Sequence, residues 1–445
     1  MKKDRFFLNV MSVWRNFMEA IHRSLFSTYL AREKLNFGGF LILSMVVLFL
    51  ISSTSAAKAD NASVVDPCSV FPPVFPAGAP DTFLTFLELK VPEDTSTATA
   101  YYKAVDPLNR RTTLNDWLVV TGFIDNPGDL LPGLNGDALV KRDAFAMYVN
   151  EVDLGVTRRF YSLTDANGNV AIYTENYKCL RDAILRQDVL ATVAMEWRPA
   201  ADGSNPKVKF TTFYAYGPDN QRILEINLDG RGNKALPGNC QICHGGNPRA
   251  LDVNGKFPNH GNIGASFLPW DIKAFVFDTV DPALSRAAQE AQIKKLNQAA
   301  LLTYSKTKKF DEVAGYSRPN ALVELVQGWY GGPTLPSPTF IESFTPKGWL
   351  PPYAPANAEV LYHEVVVPTC RSCHISRERS LDFTSYKGFA VFRDATEKLV
   401  YAPDLVSAPT SSDDGGVMPL ALQTYNNFWN TAAHDVLRQY LDIMP

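Results

Sequence analysis

The sequence predicts an α+β multidomain protein in which a β-rich N-terminal domain is followed by a mostly α-helical region. Between residues 60 and 229, short runs of β-branched and aromatic residues alternate with connectors rich in Gly, Pro, Asn and Asp, as strands and turns require. Beyond residue 280, apolar residues recur at helical spacing. A chain of 445 residues predicts two or three domains and is long enough to bury at least one sizeable core.

Composition and charge exclude several classes of protein. With 46% hydrophobic and 20% charged residues, the chain is neither wholly disordered, nor collagen-like, nor a polytopic membrane protein. The formal net charge is −3, but residues 1–59 hold 8 Lys/Arg against 3 Asp/Glu, which leaves 35 basic and 43 acidic residues in the remainder. This balance predicts no nucleic-acid partner and is better suited to basic protein partners.

Individual elements follow from local patterns. Two strands flanking the turn-rich segment 165–169 predict a β-hairpin. The predicted strands are 159–163, 170–177, 189–197, 207–216 and 222–228, with a short helix near 177–186. The predicted helices of the later part are 282–304, 319–329, 357–366 and 424–443, with a proline-rich linker over 333–355.

The N-terminal segment predicts export from the cytoplasm. Seven Lys and Arg residues between positions 2 and 34 precede an uncharged apolar run over 40–51. Ala57-Lys58-Ala59 then has the small-x-small pattern of a signal-peptide cleavage site. Residues 37–57 are also long enough to span a bilayer. The segment is therefore either cleaved or retained as a membrane anchor, and both readings predict a periplasmic or extracytoplasmic location for the rest of the chain.

Four of the six cysteines form two Cys-x-x-Cys pairs, each followed directly by histidine. The two sequences are Cys240-Gln241-Ile242-Cys243-His244 and Cys370-Arg371-Ser372-Cys373-His374. This pattern is typical of c-type haem attachment, in which two thiols bind the vinyl groups of the porphyrin and the histidine ligates the iron. A zinc site usually has its two pairs about 15–20 residues apart, and a thioredoxin-like pair needs no histidine. We therefore expect two covalently attached c-type haems, held by Cys240, Cys243, Cys370 and Cys373, with iron ligands His244 and His374.

The other two cysteines, Cys68 and Cys179, are expected to form a disulfide, because the exported space is oxidising. The alternative is two separate buried thiols.

The last 90 residues resemble a class I cytochrome c domain. A predicted helix precedes Cys370, Gly415-Gly416-Val417-Met418-Pro419 follows 44 residues after His374, and an amphipathic helix closes the chain. The resemblance implies that Met418, in its Met-Pro loop, is the sixth ligand of the second haem iron. The predicted organisation is then 1–59 signal peptide or anchor, 60–232 β-rich domain, 233–350 first haem-binding region, and 351–445 cytochrome c-like domain.

The sixth ligand of the first haem is left open by the sequence, because no methionine lies between Cys243 and Met418. His260, sixteen residues after His244, is the candidate nearest in sequence. The other candidates are His363, His434, Met147 and Met195, and the iron could also be open.

These observations favour an electron carrier over an enzyme, with redox proteins as partners. The alternative is a di-haem oxidoreductase with an open first iron, because one site with a methionine and one without also resembles bacterial di-haem cytochrome c peroxidases. A third class is an envelope interaction protein whose haems serve another subunit. We find no Ser/His/Asp triad pattern and no Gly-rich phosphate loop in the sequence, so no catalytic residue is assigned.

Overall fold

The computed structural model of the chain describes residues 94–126, 140–229, 232–247, 249–305, 309–311, 315–318, 320–376, 383–401 and 420–442. All of them belong to one compact unit, Asp66–Pro445. The predicted targeting segment, Cys68 and Met418 lie outside the described residues.

A six-stranded antiparallel sheet lies in the middle of the described chain. Its strands are β1 Ala144–Asn150, β2 Thr157–Thr164, β3 Val170–Tyr177, β4 Val189–Pro199, β5 Lys209–Tyr216 and β8 Phe275–Val276. They are hydrogen-bonded in the order β5-β4-β3-β2-β1-β8. Two small antiparallel pairs are formed by β6 Glu225–Ile226 with β7 Lys234–Ala235, and by β9 Lys309–Asp311 with β10 Tyr316–Arg318.

Helices occur both before and after the sheet strands in sequence. The α-helices are α1 Thr95–Val105, α2 Leu114–Thr121, α3 Leu180–Leu185, α4 Gly238–His244, α5 Arg286–Thr303, α6 Ala321–Trp329, α7 Ala358–Leu361, α8 Val367–Thr369, α9 Arg371–His374, α10 Tyr386–Ala390, α11 Arg393–Tyr401, α12 Leu422–Asn430 and α13 Ala433–Leu441. A π-helical turn, Tyr362–Val366, joins α7 to α8, and short 3-10 turns lie at Asn259–Gly261, Ile272–Ala274, Pro282–Leu284 and Lys347–Trp349.

Strands β2 and β3 form the predicted hairpin. They pair from Thr157 opposite Tyr177 to Thr164 opposite Val170. In the turn between them, the Asp165 carboxylate accepts the backbone N–H groups of Asn167 at 2.8 Å and Asn169 at 2.9 Å. The local turn chemistry therefore sets the register, and this prediction is confirmed.

Side chains from two helices satisfy backbone groups of the edge strand β5 and of the part of β1 that β8 does not cover. On β5, the Phe213 N–H donates to the Tyr101 hydroxyl at 2.8 Å and the Ala215 N–H to the Tyr102 hydroxyl at 3.1 Å. On β1, Gln289 of α5 accepts the Met147 N–H at 2.6 Å and donates to the Met147 carbonyl at 2.8 Å. These parts of both strands are thereby protected from pairing with another chain.

The predicted fold class is wrong. The described residues form a mixed α/β structure with the six-stranded sheet in the middle and helices at the C-terminal end, in place of a β-rich N-terminal domain followed by a mostly α-helical, cytochrome c-like haem region. The region expected to be the first helical haem unit instead adds β8 to the sheet, where Val276 pairs with Val149. Its loop residues Phe257 and Phe267 are buried in the same core as the sheet. Because glycines and prolines interrupt the segment after His244, the apolar side chains that it buries belong to loops and not to a helix.

A second core lies among the C-terminal helices. Trp349 is fully buried there, with its ring 5.2 Å from the ring of Tyr362 and 5.8 Å from that of Phe389. The single helix predicted over 424–443 is two helices, α12 and α13, because the backbone at Thr431 is extended. The Thr431 hydroxyl accepts the N–H of Ala433 at 3.4 Å at the start of the second helix.

We expect Gln289→Ala to destabilise the fold by about 1–3 kcal/mol, because it leaves the buried Met147 N–H without an acceptor. Urea unfolding gives the free energy, and hydrogen exchange should show faster exchange of the Met147 amide than in the wild type. Gln298→Ala on the exposed side of the same helix is the control and should change little. Equal effects of the two substitutions would contradict the role assigned to the Gln289 amide.

Candidate functional site

One face of the central sheet lines a cavity. Three neighbouring strands each contribute two lining residues that are two positions apart within the strand. These residues are Thr174 and Asn176 on β3, Val193 and Met195 on β4, and Phe213 and Ala215 on β5. Strand pairing places Met195 opposite Phe213 and Thr174 opposite Val193. The cavity and its open mouth hold about 1190 Å³ free of protein atoms. The period-two alternation of strands thus separates a cavity face from a packing face.

The first Cys-x-x-Cys-His motif forms the wall opposite the sheet. Helix α4 carries Cys240, Cys243 and His244, and all three line the cavity. The Phe213 ring of β5 contacts the His244 ring edge to face at 5.1 Å between centroids. Two thiols and an imidazole therefore face the same largely apolar space.

His244 is held in one tautomer. Its Nδ1 lies 2.9 Å from the carbonyl oxygen of Ser266. Because a carbonyl only accepts, Nδ1 carries the proton and Nε2 keeps its lone pair. Burial lowers the pKa of His244 to about 4, and the positive charge of Arg158 acts in the same direction. The imidazole is therefore neutral near pH 7 and able to ligate a metal through Nε2, with its orientation set by a backbone hydrogen bond, as is usual for ligating histidines.

The second motif is anchored by a buried ion pair between Arg371, which lies between its two cysteines, and Asp271. The Arg371 Nε donates to Asp271 Oδ2 at 2.9 Å, and Nη1 donates to the Tyr362 hydroxyl at 2.8 Å. His374 is buried and its ring stacks on Phe383 at 4.2 Å between centroids. The segments 377–382 and 402–419, the second of which contains the predicted ligand Met418, lie outside the described residues.

The two motifs meet, although about 130 residues separate them in sequence. The Sγ atoms of Cys243 and Cys373 are 3.4 Å apart. The Ser376 hydroxyl donates to the Cys243 carbonyl at 2.5 Å. The hydrogen bond with Cys373, followed by burial, raises the pKa of the Cys243 thiol, so the thiol is protonated near pH 7.

The histidines considered as a sixth ligand of the first iron do not line this cavity. His260 is half exposed, and its Nδ1 pairs with Asp202 Oδ2 at 3.0 Å. The Nε2 of His363 lies 2.8 Å from the hydroxyl of Thr345. The Nδ1 of His434 lies 2.6 Å from the Thr431 carbonyl.

The two methionine candidates lie on opposite faces of the sheet. Met195 lines the cavity together with His244. Met147 is buried beside Tyr177 and Ala183 in a small separate cluster, and its Sδ accepts from Arg159 Nη1 at 3.7 Å. The structure thus brings Met195 to the first motif and keeps Met147 away from it.

Sequence reasoning missed a polar end of the cavity. Arg158 and Asn176 are cross-strand neighbours there, with Thr174 next along β3. Among the described residues, Arg158 Nε, Thr174 Oγ1 and Asn176 Oδ1 are buried without a hydrogen-bond partner. The available signal was the polar run Thr174-Glu175-Asn176, which follows four apolar or aromatic residues in the same strand. The sequence shows no recognisable pattern that predicts the hydrogen bond between His244 and the Ser266 carbonyl or the Arg371–Asp271 ion pair.

Of the two cysteines predicted to form a disulfide, one lies among the described residues. Cys179 is disulfide-bonded. Its predicted partner, Cys68, lies outside the described residues.

Comparison of the chain with protein-family models, with curated proteins and with solved structures finds no match. Within the described ranges, no three His, Cys, Asp or Glu side chains converge as a set that could hold a metal ion. None of the helices in that part of the chain is long and apolar enough to cross a membrane.

We expect Asp271→Asn to destabilise the protein by about 3–5 kcal/mol, because it leaves the buried Arg371 guanidinium without its counter-charge. Thermal or urea unfolding measures the loss. Asp125→Asn, at the exposed ion pair with Lys141, is the matched control and should cost less than about 1 kcal/mol. Similar losses in both variants would show that Arg371 does not depend on Asp271.

Proposed function

We propose that the chain is an exported di-haem c-type cytochrome that transfers electrons through two covalently attached haems. The observation that supports this most is the arrangement of Cys240, Cys243 and His244 around one cavity, with His244 neutral and its Nδ1 proton donated to the Ser266 carbonyl. The two thiols and the neutral imidazole are the donor set that attaches a c-type haem, and all three line the cavity. The same three residue types recur in the second motif at Cys370, Cys373 and His374.

Each residue of the first motif has a separate role in this proposal. The thiols of Cys240 and Cys243 form thioether bonds that hold the porphyrin, and His244 presents Nε2 to the iron. A bound haem supplies an iron that gains and loses one electron. The Phe213 ring packs against the imidazole, which burial keeps neutral.

For the second motif we propose Cys370 and Cys373 as attachment residues and His374 and Met418 as iron ligands. The role of Met418 rests on the resemblance of the C-terminal sequence to class I cytochromes c. The Arg371–Asp271 ion pair fixes the motif to the loop that follows the first site.

The proposed location is periplasmic or extracytoplasmic, with redox proteins as partners. The charged N-terminal segment and the apolar run over 40–51 support export. The disulfide at Cys179 is consistent with an oxidising compartment.

Haem stoichiometry tests the proposal. We expect two haems per chain in the wild type and one in each double variant, Cys240→Ala/Cys243→Ala and Cys370→Ala/Cys373→Ala, since each loses one pair of thioether bonds. Haem content and the mass of the intact chain measure this directly. Ser372→Ala, which keeps all four cysteines, is the control and should retain two haems. A wild-type chain without covalent haem would contradict the proposal.

The second candidate function is a di-haem oxidoreductase with an open first iron. The unpartnered polar atoms of Arg158, Thr174 and Asn176 favour it, because they could bind a small polar substrate in the cavity that His244 faces. Against it stands Met195, whose thioether faces the same cavity.

A methionine series separates the two functions. If Met195 is the sixth ligand, Met195→Ala should convert the first haem from low spin to high spin and lower its reduction potential, because methionine ligation raises the potential. Optical and EPR spectra with a redox titration measure both effects. Met147→Ala, on the other face of the sheet, is the control and should leave the spectrum unchanged. A wild-type spectrum with one high-spin haem that Met195→Ala does not alter would favour the oxidoreductase.

A further inference from the structure

At the polar end of the cavity, the sheet fixes the direction of an amide group. The Asn176 Nδ2 donates to the carbonyl oxygens of Thr174 at 3.3 Å and Ala191 at 3.1 Å. Because both carbonyls only accept, the amide has one orientation, and its Oδ1 is left as an acceptor. Asn176 is 1% exposed and lines the cavity. Its Oδ1 therefore requires a donor from within the cavity.

Two neighbouring side chains supply the complementary groups. Arg158 lies opposite Asn176 in the β2–β3 pairing, and Thr174 lies two positions before Asn176 on β3, so all three share one face of the sheet. Within the described part of the chain, the buried Arg158 Nε and Thr174 Oγ1 have no hydrogen-bond partner. A guanidinium only donates, whereas a hydroxyl donates or accepts. A charged donor and an amide acceptor thus lie side by side.

A second amide oxygen faces the cavity from the opposite wall. Asn239 precedes Cys240 on α4, lines the cavity and is 3% exposed. Its Oδ1 is also buried, with no partner among the residues that the structure describes. The lining therefore offers two amide oxygens that need donors and one guanidinium N–H that needs an acceptor.

The charges in the lining favour a neutral ligand. Asp153 and Arg158 carry opposite charges, and Asp271 is paired with Arg371. A carboxylate would accept from Arg158 but has no hydrogen for Asn176 Oδ1, and an ammonium group would be repelled by Arg158. A primary carboxamide has both a carbonyl acceptor and N–H donors. It is also uncharged, so its burial costs less than that of an ion.

We propose that the polar end of the cavity binds an aliphatic primary carboxamide. Its carbonyl accepts from Arg158 Nε, and its N–H groups donate to Asn176 Oδ1 and Thr174 Oγ1. Its alkyl chain lies along Val193 and Phe213, which line the same face of the sheet. The inference goes beyond the proposed function, because the site consists of side chains of the sheet and takes part in no step at a haem iron.

Three probes of similar shape test the inference on the full-length protein as purified. Butyramide, butyrate and 2-pentanone share a propyl chain, but only butyramide is both uncharged and able to donate N–H. We expect calorimetry or ligand-observed NMR to show butyramide binding about tenfold or more tightly than either of the others, since each of them leaves the Asn176 oxygen unpaired.

Each alternative selectivity would overturn the inference. A cavity that selects only by apolarity would bind 2-pentanone best, and one that selects a carboxylate for Arg158 would bind butyrate best. A cavity that takes up water only would bind none of the three. Haem content, measured on the same samples, tests the proposed function separately, so failure of one leaves the other standing.

Two threonine variants locate the site. Thr174→Val removes only a hydroxyl and should weaken butyramide binding by about 2- to 12-fold, with little effect on 2-pentanone. Thr212→Val is the matched control. Thr212 is 2% exposed and its Oγ1 also has no partner in the described ranges, but it precedes Phe213 on β5 and so faces the other side of the sheet. Equal butyramide affinities in the two variants would overturn the assignment to the polar end.

An arginine variant tests the carbonyl contact. Arg158→Met keeps most of the side-chain bulk but removes the donor, so the preference for butyramide over 2-pentanone should fall by about tenfold or more. An unchanged preference in the folded variant would contradict the role of Arg158. If this variant does not fold, the threonine pair still decides whether the polar end binds the amide.

Discussion

The alternation of side chains along the strands of the central sheet is the constraint on which the described structure depends. On β4, Met195 faces the cavity, whereas its neighbour Glu196 faces the other side and accepts from Arg111 Nε at 2.6 Å. A shift of one residue in register would exchange the two and put a carboxylate opposite His244. The cavity and the packed face therefore require the same register, and neither can change alone.

Buried charges on the packed face make that register more specific. Arg111 and Glu196 are almost completely buried, as are Arg159 and Glu175, whose Nε and Oε2 atoms are 3.3 Å apart. Such pairs add little net stability compared with apolar residues, but an unpaired member would cost several kcal/mol. They therefore act mainly against alternative pairings of β2, β3 and β4, which keeps the cavity face in place.

Short-range patterns predicted those parts of the structure that short-range forces determine. The β2–β3 hairpin depends on the side chain of Asp165 within its own turn. Helix α5 depends on helical spacing, although it begins at Arg286 after a 3-10 turn and not at residue 282 as predicted. The two Cys-x-x-Cys-His motifs are equally local. The contact of Cys243 with Cys373 depends instead on Asp271, Ser376 and other residues far apart in sequence, whose types are individually ordinary.

The error in fold class has the same origin. A Cys-x-x-Cys-His motif followed by glycines and prolines is compatible with a separate helical unit and with a loop packed on a sheet, and composition does not distinguish them. In the structure, the segment is a loop packed on the sheet. Phe267 and Trp270 are buried in the core of the sheet, and β8 adds a strand to its edge. Burial of a loop against an apolar face of a sheet depends on tertiary contacts, which local secondary-structure propensity does not predict.

The environment of His244 also bears on how the proposed electron transfer is coupled to protons. The proton on Nδ1 is donated to the Ser266 carbonyl, a group that does not titrate near neutral pH. Burial lowers the pKa of the imidazole to about 4, so gaining a second proton is unfavourable across the physiological range. In the proposed cytochrome, a change of charge on the Nε2 side would therefore occur without proton uptake at this residue. A fixed hydrogen bond and a buried imidazole are thus suited to a site that exchanges electrons alone, with little rearrangement of the surrounding chain.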